Sequence, residues 1–185
     1  MATITRVCHS LRSGSRCSQC GQVDSSQRLS GETSAICSSC YAWEELLDDI
    51  RHTPDLWDAE AVVPDLEATT RQQAIVEMVE ALVNENKLGD HLGEVFIRAL
   101  LFDADEISTA VEHGLAVLLF THPAVQDSLV LVARSHNGID FQAVDEQPAK
   151  VFLLLASPPQ SPANRLRLTA HAARLLLDYG RRSTS

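Results

Sequence analysis

Apolar residues recur along this chain at two different periods. Behind Thr70, the residues Ile75, Met78, Val79, Leu82 and Val83 fall at the spacing of one helix face. Thr70-x-x-Gln73 has the form of a capping box, and Lys87 and Gly89 supply stop signals. A second helix is expected from Asp90, burying Leu92, Val95, Phe96, Ala99 and Leu100. Residues 61–66 read as a short strand ahead of the first of these helices. Three near-continuous apolar runs, 115–120, 129–133 and 151–156, predict strands covered on both faces. Turn residues stand between them in THPAVQD, SHNG and DEQP. Beyond SPPQSPA a last helix is expected, with Ser161 as N-cap and Pro162 as its first residue. Its buried face is expected to be Leu166, Ala170, Ala173, Leu176 and Leu177, and its end Gly180. Strands interleaved with helices predict an α/β fold in which a mixed sheet is flanked by helices.

Upstream the pattern changes. The stretch YAWEELLDDIRHTPDLWD is acidic and helix-compatible up to Arg51, and Pro54 stops it. Its acidic residues read as a solvated helix face, and Trp43 and Trp57 as packing anchors. The chain thus divides into a small module at 1–41, an acidic linker at 42–58, a main domain at 59–180 and a disordered tail at 181–185.

Charge sharpens this division. The chain has a formal net charge of −10, yet residues 1–40 carry four arginines against Asp24 and Glu32. The other 145 residues hold 11 basic and 23 acidic side chains. So acidic a domain repels nucleic-acid phosphates and anionic membranes, which leaves nucleic acid only residues 1–40 to contact. The first residues lack an apolar signal core, and no apolar run approaches the length of a membrane span. A cytoplasmic protein without membrane insertion is expected. In that reducing setting clustered cysteines are read as metal ligands.

Cys17 and Cys20 form one CxxC pair and Cys37 and Cys40 another, with 16 residues between them. Two such knuckles bring four thiolates to one tetrahedral zinc ion, and Gly21 permits a tight turn at the first. The intervening stretch has too few apolar residues to form a core, so structural Zn²⁺ would supply the folding energy. A redox-active CxxC wants a βαβ context, which is missing here. Cys8 and His9 stand outside the pattern.

The sequence VVPDLEATTRQQAIVEMVEALVNENKL, followed later by GIDFQAVDEQPAKVFLLLASP, resembles the IIA domains of the bacterial phosphoenolpyruvate:sugar phosphotransferase system. The resemblance is to the fructose/mannitol and nitrogen-regulatory type and covers about residues 59–179. It implies that family's fold and, in active members, a phosphohistidine closing a Gly-aliphatic-Ala-aliphatic-Pro-His segment. Here the segment reads GLAVLL, which sets Leu119 at the phosphohistidine position. The resemblance also sets Arg165 at a second histidine's position and Asp103 near that of an arginine. It sets residues 107–114 over a Gly-Ser-Thr-Gly stretch that has lost most of its glycines, with Glu112 adding negative charge.

A leucine has no lone pair to offer a phosphoryl group, so the expected catalytic set is empty. The chain is then a regulatory or docking protein that binds other proteins, rather than an enzyme. Two alternatives stand beside this. One is a divergent phosphocarrier using a ring nitrogen of His122 or His113 as the phosphoryl acceptor. The other is a nucleic-acid-linked regulator acting through the cysteine module and Arg12, Arg16 and Arg28.

Overall fold

The computed structural model describes residues 38–52, 59–102, 107–123, 125–160 and 162–183. Cys17, Cys20, Cys37, Asp103, Ser161 and Trp57 lie outside the described residues. In chain order the elements are α1 (Ser38–Arg51), β1 (Ala59–Val63), α2 (Arg71–Asn84), α3 (Asp90–Phe102), β2 (Ile107–Glu112), β3 (Leu115–Thr121), β4 (Leu129–Ile139), β5 (Ala149–Ser157) and α4 (Pro162–Ser183). The strands form one sheet in the order β1-β4-β5-β3-β2. β1 runs parallel to β4 and β3 parallel to β5, while the β4–β5 and β2–β3 pairs are antiparallel. The mixed α/β sheet expected from the sequence is the one observed.

Alternation along the strands divides the interior in two. Ala116, Leu118, Phe120, Leu131, Phe152 and Leu154 meet Ile75, Met78, Val79, Leu82, Phe96 and Leu100 of α2 and α3 on one face. Leu115, Val117, Val130, Val132, Leu153 and Leu155 meet α1 and α4 on the other. Burial on both faces is why three of the strands read as unbroken apolar runs.

Several expectations need correction. Thr70 does cap α2, its hydroxyl oxygen accepting the Gln73 amide. The returning bond from Gln73 Oε1, however, closes on the Thr69 amide at 3.1 Å, one residue early. α2 stops at Asn84, and the chain reverses through Asn86 at φ 56°. Gly89 instead opens α3, its carbonyl accepting the Gly93 amide at 3.0 Å.

Most of α1 lies in the helix-compatible span read as an acidic linker, but the helix begins at Ser38, inside the expected N-terminal module. This helix buries Ala42, Trp43, Leu46 and Ile50 against the sheet. Its acidic residues face α4 as well as solvent, with Arg182 Nη1 lying 3.0 Å from Asp49 Oδ2 and 4.0 Å from Glu45 Oε2.

α4 turns the other way from expectation. Leu168, Ala172, Leu175 and Tyr179 are buried, whereas Ala170 and Ala173 are exposed and Leu166 and Leu177 are 71% and 63% exposed. The helix continues through Gly180 to Ser183, so the start of the expected tail is helical.

Candidate functional site

The parallel pair β3 and β5 ends where β4 and α4 begin. Asn164, in the first turn of α4, donates from Nδ2 to Ser128 Oγ at 2.7 Å, fastening the helix start to the residue before β4. Ser128 and Ser157 are both buried here. Leu119 lies two residues before the end of β3, paired with Ser108 of β2 and Leu155 of β5. Its side chain is partly buried against the α1/α4 core. Arg165 stands exposed in the first turn of α4. Leu119 and α4 thus share one side of the sheet.

The two candidate histidines do not join them. His122 stacks on Phe120, ring centroids 5.7 Å apart and planes within 6°, and Phe120 in turn meets Phe96 of α3 at 4.4 Å. Residues 120 and 122 therefore face α2 and α3, opposite to Leu119, because successive side chains along a strand alternate. His113 sits at the other end of β3, in the hairpin turn from β2, with φ 53° followed by Gly114 at φ 76°. At about 3.3 Å per residue it is roughly 20 Å along the strand from position 119.

His113 has a structural setting of its own. Its amide donates to Asp145 Oδ2 at 2.8 Å, and its ring lies over Gly180. That amide bond, with a second from the Gln147 amide, lowers the Asp145 carboxyl below its ordinary pKa. Glu112 belongs to this far end too, since it pairs with Leu115, and so it does not charge the surroundings of Leu119. The segment aligned with the glycine-rich stretch forms β2 up to Glu112 and turns at His113 and Gly114.

Two further histidines are partly covered. His136 is 24% exposed and its Nδ1 lies 2.6 Å from Asp65 Oδ1. His171 is half-buried on α4. Burial depresses its pKa, Arg174 adds to the effect and Asp49 opposes it.

Of the four cysteines in the two CxxC pairs, Cys40 lies within the described residues. It is buried in the first turn of α1, and its sulfur accepts a hydrogen bond from Arg134 Nη1 at 3.5 Å. Sequence reasoning passed over Arg134. Its only signal was a charge at the end of the apolar run 129–133. Among the described residues no group of three or more His, Cys, Asp or Glu side chains is placed to hold a metal, and no helix is long and apolar enough to cross a membrane.

A five-stranded mixed sheet with helices on both faces defines the class of protein. Residues 55–182 match the family model for the phosphoenolpyruvate-dependent sugar phosphotransferase system, EIIA 2, and the chain belongs to that family. It is 32% identical over 125 residues to a nitrogen regulatory protein of Bradyrhizobium diazoefficiens, covering 67% of this chain and 79% of that protein. It is 29% identical over 108 residues to the fructose-specific EIIA component of Haloferax volcanii, covering 58% and 69% respectively. A crystal structure of the nitrogen regulatory protein IIA-Ntr from Neisseria meningitidis superposes with a TM-score of 0.51 at 20% identity, over 60% of this chain and 73% of that one. That last likeness is one of fold.

Proposed function

We propose that this chain is a regulatory, protein-binding member of the EIIA 2 family in which Leu119 fills the phosphohistidine position. The observation that carries the reading is the setting of Leu119. It faces the α1/α4 layer at the end of β3, while His122 faces the opposite layer and His113 lies at the opposite end of the strand. Phosphoryl transfer demands that donor and acceptor be aligned to within about an ångström. A histidine on the wrong side of the sheet does not meet that demand. The similarity to a nitrogen regulatory protein supports a role in regulation through protein contacts. Without a phosphoryl group to gain or lose, the protein binds its partner in a single state.

We also propose that Cys17, Cys20, Cys37 and Cys40 hold a structural Zn²⁺. Cys40 fits a ligand's role, being held by a guanidinium in the first turn of a helix. Zinc would supply the cohesion that the apolar-poor stretch between the two CxxC pairs lacks.

The test of the non-catalytic reading is phosphotransfer. The full chain is incubated with phosphoenolpyruvate, enzyme I and the histidine phosphocarrier of the system, beside an active IIA protein, and intact mass is read without acid. No added phosphoryl group is expected. An acid-labile phosphoryl group that disappears in His122→Ala or His113→Ala would overturn the proposal and establish a divergent carrier.

A further inference from the structure

The outer side of α4 carries a second apolar repeat. Ala163, Leu166, Ala170, Ala173 and Leu177 recur at alternating steps of three and four residues, and all five are exposed. They lie opposite Leu168, Ala172, Leu175 and Tyr179, which hold the same helix in the core. Of the three large apolar side chains exposed among the described residues, Leu166 and Leu177 are two. At 1.5 Å per residue the seam runs about 21 Å. It ends at Leu177, because the next position of the repeat, Gly180, is buried beneath the His113 ring. A three-four apolar repeat on one helix is the form of a coiled-coil seam.

Charge indicates what covers the seam. Arg167, Arg174 and Arg181 stand seven residues apart along one of its edges, and all three are exposed. With the apolar residues at heptad positions a and d, each of these arginines occupies e, a position that pairs with charges on a partner helix. Arg174 and Arg181 share Asp178 at 3.7 and 3.0 Å, but pairs this exposed are weak and leave both guanidiniums able to meet another carboxylate. α4 holds five of the chain's 15 basic residues and one of its 25 acidic ones, so it is the basic element of an acidic protein.

Resting on the protein-binding part of the reading above, we infer that the outer face of α4 is a docking surface for an acidic amphipathic helix of a partner protein. That helix brings its own apolar heptad seam, flanked by Glu or Asp. The three alanines let its backbone come close, and the two leucines set its register. A second copy of α4 does not fit. Antiparallel pairing sets the arginines against one another, and parallel pairing sets them against positions 169, 176 and 183, none of them acidic. Residues 1–37 carry four arginines against Asp24 and Glu32, the same sign as the arginine edge. An anionic membrane would attract a basic amphipathic helix but repel the acidic remainder of the chain.

The probe is a fluorescent four-heptad peptide with Leu at a and d and Glu at e and g, whose copies repel one another; a counterpart carries Lys in place of Glu. Binding to the full chain is read by fluorescence anisotropy at low and high salt. The variants are Leu166→Gln/Leu177→Gln, Arg167→Glu/Arg174→Glu/Arg181→Glu and the milder Arg167→Glu alone, each checked for folding by thermal melting. The parent is expected to prefer the Glu peptide at least about tenfold, less so at high salt. The leucine pair should weaken binding about tenfold or more. The arginine triple should invert the preference, and Arg167→Glu alone should shrink it. Equal affinity for the two peptides, no binding of either, or binding unaltered by the variants would overturn the proposal. So would a parent that sediments as a dimer and becomes a monomer in the leucine pair, which assigns the seam to a second copy. Binding to phosphatidylserine/phosphatidylcholine vesicles through the same residues, without peptide binding, would assign it to a membrane instead. An acid-labile phosphoryl group in the phosphotransfer test would remove the Leu119 reading and leave these peptide preferences unchanged, so the two fail separately.

Discussion

Two leucines of α4, two residues apart, are expected to respond very differently to the same change. Leu175 is 3% exposed, within the layer formed by Leu168, Ala172 and Tyr179, and Leu177 is 63% exposed. Truncating a buried leucine to alanine removes its transfer free energy and leaves a cavity, at a cost of about 2–5 kcal/mol. For a chain of this size each kcal/mol lowers the melting temperature by about 2–4 °C, so Leu175→Ala should melt roughly 4–20 °C early. Leu177→Ala removes no core contact and should cost at most about 0.5 kcal/mol, or roughly 2 °C. Leu-to-Ala alters intrinsic helix propensity by the same small amount at both sites, so the difference isolates burial. Thermal and urea unfolding followed by far-ultraviolet circular dichroism measure both variants against the parent. Equal losses, or a larger loss at Leu177, would refute the orientation of α4 and restore the face that periodicity alone suggests.

Other consequences can be checked with equal directness. A Cβ added at Gly180 would lie 2.8 Å from His113 Cδ2 and 3.1 Å from Cγ. Gly180→Ala should therefore destabilise by about 1–3 kcal/mol, as overpacking does. Adding His113→Gly should recover most of that, because it removes the ring and relaxes the left-handed backbone at φ 53°; no recovery would mean the ring is not what the new methyl meets. The folded chain holds His171 below its ordinary pKa of 6.5, chiefly through burial. Just below that pH the unfolded chain then binds the extra proton, so stability is complete above it and is lost as pH falls. Urea midpoints for the parent should drop between neutral and mildly acidic pH, and His171→Gln should flatten that part of the profile; parallel profiles would show that another group titrates.

The sequence was most legible where two physical requirements agreed. The runs in β3, β4 and β5 are apolar on both faces because both faces are covered, and nothing else in the chain competes for that pattern. α4 was misread because two stripes, 166/170/173/177 and 168/172/175/179, have identical spacing. Periodicity detects a stripe without saying which one meets the sheet. β2 went unseen because ISTAVE mixes polar and apolar residues, as an edge strand paired on one side does. The helical stretch up to Arg51 and Trp43 as an anchor were read from the sequence, but the acidic residues hid that the stripe of Ala42, Trp43, Leu46 and Ile50 makes α1 a layer of the domain rather than a linker. That Leu119 lies on a strand was legible from the apolar run 115–120. That His122 faces away from Leu119 was equally available from the two-residue period of a strand, once β3 was known to run to Thr121. The Arg134–Cys40 contact spans 94 positions, and no local pattern records it.

The family match begins at residue 55, and α1 ends at Arg51. A fragment trimmed to the family boundary would therefore be cut through a fold, with no helix left over the sheet beside α4. Leu115, Val117, Val130, Val132 and Leu153 pack in the layer that α1 completes, and part of that layer would be opened to water. Trimmed in this way, the domain would display a sticky face of its own making. Partners captured by such a fragment would report the missing helix rather than the protein's recognition surface.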